Sequence, residues 1–206
     1  VDPASPVATV TAPADSSQIV CSGDPCTVTP TFAGVAATGP DDVGQVTLFV
    51  YRDIEVDPAY LEQTLTTFAD ADGAFSIAAS GPLTPWSYTV QAEQSDALGN
   101  KGYSAPITFY VVSPTPAITG VSPASLEVGS TDPVTLTGTS FLSGALVHWY
   151  ERAPSPAYYT YLTPDSASEG QLTFSPPPDR LDAPKVVELS VRNPLNVSSA
   201  PQPYLI

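Results

Sequence analysis

Apolar and polar residues alternate with a period of two along much of the chain, which is the pattern of β-strands with one buried face. The segments 45–51, 86–92 and 107–111 show it most clearly. Their alternating apolar positions are Val46, Leu48 and Val50, then Trp86, Tyr88, Val90 and Ala92, then Ile107, Phe109 and Val111. Turn-forming clusters such as GPDD, DADG and DALGN separate such segments. Short strands and turns at this spacing predict an all-β fold of the sandwich type.

A proline-rich segment, SPTP at residues 113–116, interrupts this pattern. Proline fixes the backbone angle φ and removes an amide donor, so the segment predicts a short extended linker. A second series of apolar segments follows at residues 118–121, 134–138, 145–150, 158–162, 171–174, 186–191 and 204–206. We therefore expect two domains, residues 1–113 and 114–206, each with its own core.

The composition excludes several classes of partner. The formal net charge is −15, from 21 acidic and 6 basic residues, so phosphate backbones and anionic membranes repel the chain. Only 13% of residues are charged and 42% are apolar, which is the balance of a folded protein and not of a disordered acidic tail. No apolar segment approaches the length of a membrane span. We expect neither a nucleic-acid partner nor membrane insertion.

The composition also indicates an origin. Lysine is nearly absent, methionine is absent, and alanine, proline and threonine are abundant, as in proteins of high-GC bacteria and their phages. Because the chain begins with Val1 and shows no signal peptide, we expect a processed or excised piece of a longer protein.

The two cysteines, Cys21 and Cys26, lie in the segment VCSGDPCTV, where Gly23, Asp24 and Pro25 predict a turn. A disulfide here would stabilise the fold by about 2 kcal/mol on the chain-entropy model and would indicate an oxidising, extracellular compartment. One alternative is a metal-binding pair, but no further Cys or His lies nearby in sequence to complete a tetrahedral site. The other alternative is two reduced thiols. We favour the disulfide.

The second half carries an ordered set of residues that resembles the opening of an IPT/TIG domain, an immunoglobulin-like fold. The matching positions are Pro116, Ile118, Pro123, Gly129, Leu136, Thr137, Gly138, Phe141, Gly144 and Val147. The segment 187–206 is similar to the two closing strands of that family. Many members have a short glycine turn after the third strand, where this chain has the longer ERAPSPAYYTY. The resemblance implies an immunoglobulin-like domain over residues 114–206.

The first half resembles the bacterial Ig-like repeats of surface proteins. The matching positions are Asp70, Asp72, Gly73, Phe75 and Ser76, then Tyr88, Thr89 and Val90, then Asp96, Gly99 and Asn100. The two resemblances together imply an all-β chain of two tandem immunoglobulin-like β-sandwich domains, of a kind found in extracellular proteins and on virions. They imply no common chemistry, because such folds carry many functions.

The sequence offers no recognisable catalytic constellation. The single histidine, His148, lies between Val147 and Trp149 on a predicted strand, so its side chain points away from those of its neighbours and towards solvent. No nucleophile elbow, phosphate-binding loop or dinucleotide fingerprint is present, and no carboxylate pair lies in a glycosidase context. We therefore expect a non-enzymatic protein without a cofactor.

Calcium is the one cofactor for which residues are available. Asp70 and Asp72 in the DADG turn, with Asp96 and with Asp41 or Asp42 from neighbouring loops, would supply the oxygen ligands that this cation requires. No EF-hand spacing is present. We favour a plain turn, because Asp and Gly accept the backbone angles that a turn needs.

The segment HWYERAPSPAYYTYL, residues 148–162, concentrates five aromatic rings beside His148. Trp149 matches a core position of the IPT/TIG pattern. Tyr159 and Tyr161 share one face of a predicted strand, opposite Tyr158 and Leu162. One set of tyrosines therefore joins the core and the other lies outside, beside His148, if the two strands pair. The residues expected to contribute to an interaction surface are His148, Tyr150, Tyr158, Tyr159 and Tyr161.

Three interpretations of exposed rings at this position stay open. In the first, the loop Pro154–Ala157 or the adjoining domain covers the rings. In the second, the rings contact another protein, and in the third they stack on sugar rings. The leading hypothesis is a non-catalytic extracellular module, structural or adhesive, within a bacterial surface protein, a filament or a phage virion. Its partners would be other protein subunits or neighbouring Ig-like domains. Alternatives are a carbohydrate-binding accessory of a secreted polysaccharide-active enzyme and, more weakly, a hydrolase without a recognised motif.

Overall fold

The structure is a computed structural model that describes residues 5–152 and 157–206. Within these residues, seventeen β-strands form four sheets, and the helices are three short 3₁₀ segments, Pro58–Tyr60, Pro178–Arg180 and Pro194–Asn196. No helix in this part of the chain has the length and apolar character that crossing a membrane would require. The chain divides into two compact units. The first contains the described residues up to Cys21 and Thr27–Val112, and the second contains Ser22–Cys26 and the described residues from Ser113 to Ile206.

The first unit is a sandwich of two sheets. Its strands are β1 (Thr9–Ala12), β2 (Gln18–Val20), β3 (Thr31–Val35), β4 (Asp42–Tyr51), β5 (Leu61–Phe68), β6 (Ala74–Ala78), β7 (Trp86–Asp96), β8 (Lys101–Tyr103) and β9 (Ile107–Val112). One sheet has the order β1-β3-β6, and the other has the order β2-β9-β7-β4-β5 with β8 paired to β7. All pairs are antiparallel except that of β2 with β9. This strand order is that of an immunoglobulin-like sandwich.

The predicted alternation is confirmed in the core of this unit, with one exception. The buried positions include Val46, Leu48, Val50, Tyr88, Val90, Ala92, Phe109 and Val111. Trp86 continues the same alternation in β7, but it is 50% exposed, so it contributes less to the core than the other positions. Trp86 is the first residue of β7, and the Arg52 guanidinium lies over its ring, 5.2 Å from the centroid.

The second unit repeats the architecture. Its strands are β10 (Ala117–Ser122), β11 (Val134–Thr139), β12 (Leu146–Glu151), β13 (Tyr158–Leu162), β14 (Ser166–Ser168), β15 (Gln171–Phe174), β16 (Val186–Arg192) and β17 (Gln202–Leu205). The sheets have the orders β10-β11-β15-β14 and β13-β12-β16-β17, with every strand pair antiparallel. The predicted fold class, all-β with two tandem immunoglobulin-like β-sandwiches, is confirmed. The predicted domain boundary between residues 113 and 114 stays a prediction.

The core of the second unit is built from its own residues, between Leu126 and Ile206. Trp149 is fully buried at its centre, as predicted, and the Trp149 Nε1–H group donates a hydrogen bond of 2.8 Å to Glu151 Oε1. The other oxygen, Glu151 Oε2, lies 3.4 Å from Lys185 Nζ. The buried carboxylate thus has a partner on each oxygen, which is the condition under which a charge is tolerated inside a protein.

A glycine occupies the same place in both sandwiches. Gly34 on β3 and Gly138 on β11 each lie beside a register shift in the pairing with the first strand of the unit. A Cβ atom would lie 2.0 Å from the Thr9 carbonyl oxygen at the first glycine and 2.1 Å from the Ala117 carbonyl oxygen at the second. At either site it would also meet a phenylalanine ring at 2.4 Å. Close backbone approach therefore requires glycine at both positions.

Candidate functional site

The pairing of β12 with β13 brings four of the predicted surface residues together. His148 lies opposite Tyr161, and Tyr150 lies opposite Tyr159. Because alternate residues of a strand point to opposite faces, these four side chains lie on the outer side of the sheet while Trp149 points into the core. Tyr159 is 64% exposed and Tyr161 is 41% exposed, whereas the other two are half-buried. We call the group of His148, Tyr150, Tyr159 and Tyr161 the aromatic face.

The rings of the aromatic face pack on one another. His148 and Tyr161 are stacked with centroids 4.8 Å apart and planes at 26°, and His148 and Tyr150 are stacked at 6.1 Å and 24°. Tyr159 stands edge-on to both His148 and Tyr161, at 61° and 76°. The four rings therefore do not share one plane, and part of each stacked ring is covered by its neighbour.

An arginine borders the aromatic face from the adjacent strand β16. The Arg192 guanidinium lies over Tyr161, 4.8 Å from the ring centroid, and its Nη2 donates a hydrogen bond to Asn196 Oδ1. No carboxylate among the described residues forms an ion pair with Arg192. Arginine and tyrosine are the residue types that most often dominate binding energy at protein interfaces.

The electrostatic setting keeps the imidazole neutral. Burial lowers the pKa of His148 below its usual value, and the positive charge of Arg192 lowers it further. Ser190 Oγ lies 3.5 Å from His148 Nδ1, at the limit of a hydrogen bond. At neutral pH, Arg192 is thus the positive charge of this surface and His148 contributes an uncharged ring.

The backbone after Arg192 adopts an uncommon conformation. Leu195 and Asn196 have φ angles of 63° and 67°, in the left-handed region that bulky residues rarely occupy. Leu195 is also 57% exposed, although it has an apolar side chain. Such conformations cost of order 1 kcal/mol each and concentrate at functional surfaces. Leu195 thus presents an exposed aliphatic group three residues after Arg192 in the sequence.

The sequence did not single out Arg192 or Leu195. Both lie more than forty positions after His148, and the pairing of β12 with β16 is what brings Arg192 to the aromatic face. No local pattern marks Arg192 as different from the other basic residues. A signal for Leu195 would have been an apolar residue within the turn segment NPLN.

Tyr158 is not part of the aromatic face, contrary to the prediction that grouped it with the surface residues. It points to the opposite side of β13, where it is partly buried against the core of the second unit. The Arg180 guanidinium covers its ring, 3.6 Å from the centroid. The interpretation that the loop Pro154–Ala157 covers the rings concerns residues 154–156, which lie outside the described residues.

The aspartates considered for calcium shape turns. Asp70 Oδ1 accepts hydrogen bonds from the backbone amides of Asp72 and Ala74, at 3.0 and 2.8 Å. Asp96 accepts from the backbone and side-chain amides of Asn100, and the side-chain hydrogen bond in particular lowers the pKa of Asp96. Among the described residues, no group of three or more His, Cys, Asp or Glu side chains is placed to hold a metal ion. Calcium binding stays a prediction without a formed site.

The predicted disulfide is confirmed. Both Cys21 and Cys26 are disulfide-bonded, and since they are the two cysteines of the chain, they are bonded to each other. A metal-binding pair and two free thiols are thereby excluded as states of this structure.

A cleft of about 630 Å³ lies in the second unit. Its lining residues are Glu151, Arg152, Arg180, Asp182, Ala183, Pro184, Lys185 and Val186. Lys185 Nζ contacts the carboxylates of both Glu151 and Asp182, so the charged groups pair with one another. None of the described residues that line the cleft is a Ser, Cys or His, the side chains that most often act as nucleophile or base.

Neither a protein-family model nor a curated protein matches the chain. Among solved structures, the chain is similar to the TIG domain from human nuclear factor of activated T-cells, cytoplasmic 4, with 25% identity over 45% of this chain and 87% of that domain, and a TM-score of 0.38. It is similar to fibronectin(III)-like modules of Clostridium thermocellum CbhA, with 12% identity over 97% and 92% of the two chains and a TM-score of 0.35. It is also similar to a tetra-tandem repeat in the extending region of a large adhesion protein, with 17% identity over 98% of this chain, 49% of that chain and a TM-score of 0.48.

Proposed function

We propose that this chain is a non-catalytic extracellular module that contacts another protein through the aromatic face of its second unit. The observation that carries the proposal is the exposure of Tyr159 and Tyr161 in a packed group of rings bordered by Arg192. Tyrosine and arginine lose little conformational freedom on binding when neighbours already hold them. Stacking on His148 and the hydrogen bond to Asn196 supply that restraint.

The module serves a structural or adhesive role in a surface-exposed assembly, either a bacterial surface protein, a filament or a phage virion. Three properties support this proposal. The Cys21–Cys26 disulfide fits an oxidising compartment, the immunoglobulin-like sandwich is a compact unit, and the net charge of −15 limits non-specific association. The recognition surface lies on the regular strands β12 and β13, which hold its side chains in fixed relative positions.

The ring geometry favours a protein partner over a sugar. A sugar-stacking platform needs ring faces that are open to solvent and close to one plane. Here the face of Tyr161 is occupied by His148 and Arg192, and Tyr159 stands at 76° to Tyr161. Ring edges, hydroxyl groups and a guanidinium are available instead, which suit the mixed polar and apolar surface of a protein.

A photo-crosslinking experiment tests this function. A photoreactive phenylalanine analogue replaces Tyr159 or Tyr161 in the protein within its native assembly, and Phe68 serves as the matched control position. Phe68 is an aromatic residue of the first unit with 70% exposure, so it reports contacts that arise from exposure alone. We expect a discrete protein adduct from positions 159 and 161 and none from position 68.

Two outcomes would contradict the proposal. If neither position 159 nor position 161 gives a protein adduct, the aromatic face is not a protein-contact surface. If the chain binds a defined glycan on an array and the double variant Tyr159→Ala/Tyr161→Ala loses that binding, the surface is a carbohydrate platform and the accessory-module alternative replaces ours.

A further inference from the structure

A second exposed apolar surface lies in the first unit, on the loop between β4 and β5. Ile54 is 59% exposed, Val56 is 40% exposed and Tyr60 is 50% exposed. Acidic residues alternate with them, since the segment 53–57 has the sequence DIEVD. We call residues 53–60 the acidic loop. Clustered exposed apolar side chains of this size mark interaction surfaces in soluble proteins.

The acidic loop is held in one conformation by its own hydrogen bonds. The Arg52 backbone amide donates to the Tyr60 carbonyl at 2.8 Å, and the Thr89 hydroxyl donates to the Asp53 carbonyl at 2.8 Å. Asp57 caps the short 3₁₀ segment by accepting from the Ala59 amide at 2.8 Å. The loop thus presents its apolar side chains outward from a fixed backbone, as a preorganised binding element does.

The acidic loop and the aromatic face are complementary in charge. Glu55 is exposed and forms no ion pair among the described residues, and Arg192 likewise has no carboxylate partner there. Residues 1–113 contain 13 acidic and 2 basic side chains, against 8 and 4 in residues 114–206, so the loop lies in the more acidic half. A carboxylate that meets Arg192 on contact forms a charge-assisted hydrogen bond.

The two surfaces are also complementary in their apolar groups. Ile54 and Val56 flank Glu55 in the sequence, whereas Arg192 lies over the Tyr161 ring and is followed three residues later by the exposed Leu195. Tyrosine and arginine are enriched in protein interfaces, whose buried central regions are more apolar than the rim. A charged pair surrounded by apolar contacts is the arrangement in which a few residues dominate the binding energy.

We infer that the aromatic face binds the acidic loop of a second copy of this chain, with Glu55 of one copy paired to Arg192 of the next. This inference rests on the proposed function, because it names the partner of the same surface. Each copy carries both complementary surfaces, so the contact is heterologous. Repeated heterologous contacts build a closed ring if the rotation between copies closes, and an open filament if it does not.

Sedimentation velocity with charge-reversal variants tests the contact. We expect the wild-type protein to associate as its concentration rises and to dissociate when salt screens the Glu55–Arg192 pair. Glu55→Arg and Arg192→Glu each place like charges together, so each variant alone weakens association roughly tenfold or more. An equimolar mixture of the two variants restores association, because the intact loop of one meets the intact face of the other.

The matched control is Asp72→Arg, which makes the same charge change at an exposed turn of the first unit. We expect this variant to associate as the wild type does. Arg192→Gln is a milder second variant, and melting curves verify that every variant folds. The inference is overturned if the wild type stays monomeric at all concentrations, if the mixture stays monomeric, or if Asp72→Arg weakens association equally.

The inference and the proposed function fail separately. A photo-adduct between Tyr161 and a different protein, combined with a monomeric wild type, overturns the contact between copies and leaves the function as a protein-contact module in place. Absence of any protein adduct at positions 159 and 161 overturns the proposed function itself.

Discussion

The imidazole of His148 stacks on the phenol ring of Tyr161 with their centroids 4.8 Å apart. The pairing of β12 with β13 places the two residues directly opposite each other. Arg192 lies over the same tyrosine, so three side chains from three neighbouring strands form one packed group. His148 therefore lies at the centre of the aromatic face, and its titration reports on the charge of Arg192.

The titration of His148 tests this arrangement. We expect a pKa below 6.5 in the folded protein, and we expect Arg192→Gln to raise it because a nearby positive charge is removed. NMR follows the ring protons without ambiguity, since the chain has one histidine. Lys101→Gln is the control, because Arg192 and not Lys101 is the charge that lowers the pKa of His148, and it should leave that pKa unchanged. An unchanged pKa in Arg192→Gln would show that the arginine does not act on the imidazole.

The same shift has a consequence for stability. Because the folded-state pKa of His148 lies below the unfolded value, the unfolded chain binds more protons in the range just below pH 6.5. The contribution of His148 is therefore fully present above that value and is lost as the pH falls through the range. We expect His148→Gln to show a smaller loss of free energy of unfolding than the wild type between neutral and mildly acidic pH, as measured by urea denaturation.

The buried ion pair of the second unit should matter more than an exposed one. Glu151 and Lys185 side chains are 3% and 16% exposed, whereas Lys101, paired with Glu93 at 2.8 Å, is 57% exposed. Lys185→Met leaves a buried carboxylate without its cation, so we expect a loss of about 3 kcal/mol in the free energy of unfolding. The matched variant Lys101→Met should lose less than about 1 kcal/mol. If denaturant titrations show equal losses of the free energy of unfolding for the two variants, the buried pair contributes no more to stability than the exposed one.

Close backbone approach makes Gly138 sensitive to a single methyl group. Gly138→Ala places a Cβ atom 2.1 Å from the Ala117 carbonyl oxygen, so strand β10 must shift and we expect a loss of about 3 kcal/mol. Gly170 is the control in the same sandwich, because a Cβ atom there would lie 3.5 Å from the nearest atom. Thermal unfolding should show a lowered Tm for Gly138→Ala alone. If Gly138→Ala has the Tm of the wild type, strands β10 and β11 can move apart with little loss of free energy.

The Cys21–Cys26 disulfide closes a very short loop, so its contribution should be modest. We expect Cys21→Ser/Cys26→Ser to lower the free energy of unfolding by about 2 kcal/mol. A reducing agent should lower the stability of the wild type to the same extent and leave the double variant unchanged. A double variant as stable as the oxidised wild type would show that the bond contributes little.

The sequence determined the fold class and which side chains of a strand share a face. A period of two assigns alternate residues to opposite faces of a strand, so Val147 and Trp149 share one face and His148 lies on the other. The resemblance to the IPT/TIG pattern is what implied that the face of Trp149 is the core face. The separation of Tyr159 and Tyr161 from Tyr158 follows from the same rule. The period does not decide whether Tyr158 or the pair of Tyr159 and Tyr161 joins the core, because either choice satisfies the alternation.

Only the tertiary structure decided which exposed residues meet. Arg192 reaches Tyr161 because β16 pairs with β12 in one particular register, and register depends on contacts between strands that are distant in sequence. Trp86 shows the same limit for exposure, since it shares the alternation of Tyr88 and Val90 but is half exposed at the first position of its strand. Local periodicity fixes the direction of a side chain, whereas its neighbours and its exposure depend on strand order, register and strand ends, which long-range packing alone establishes.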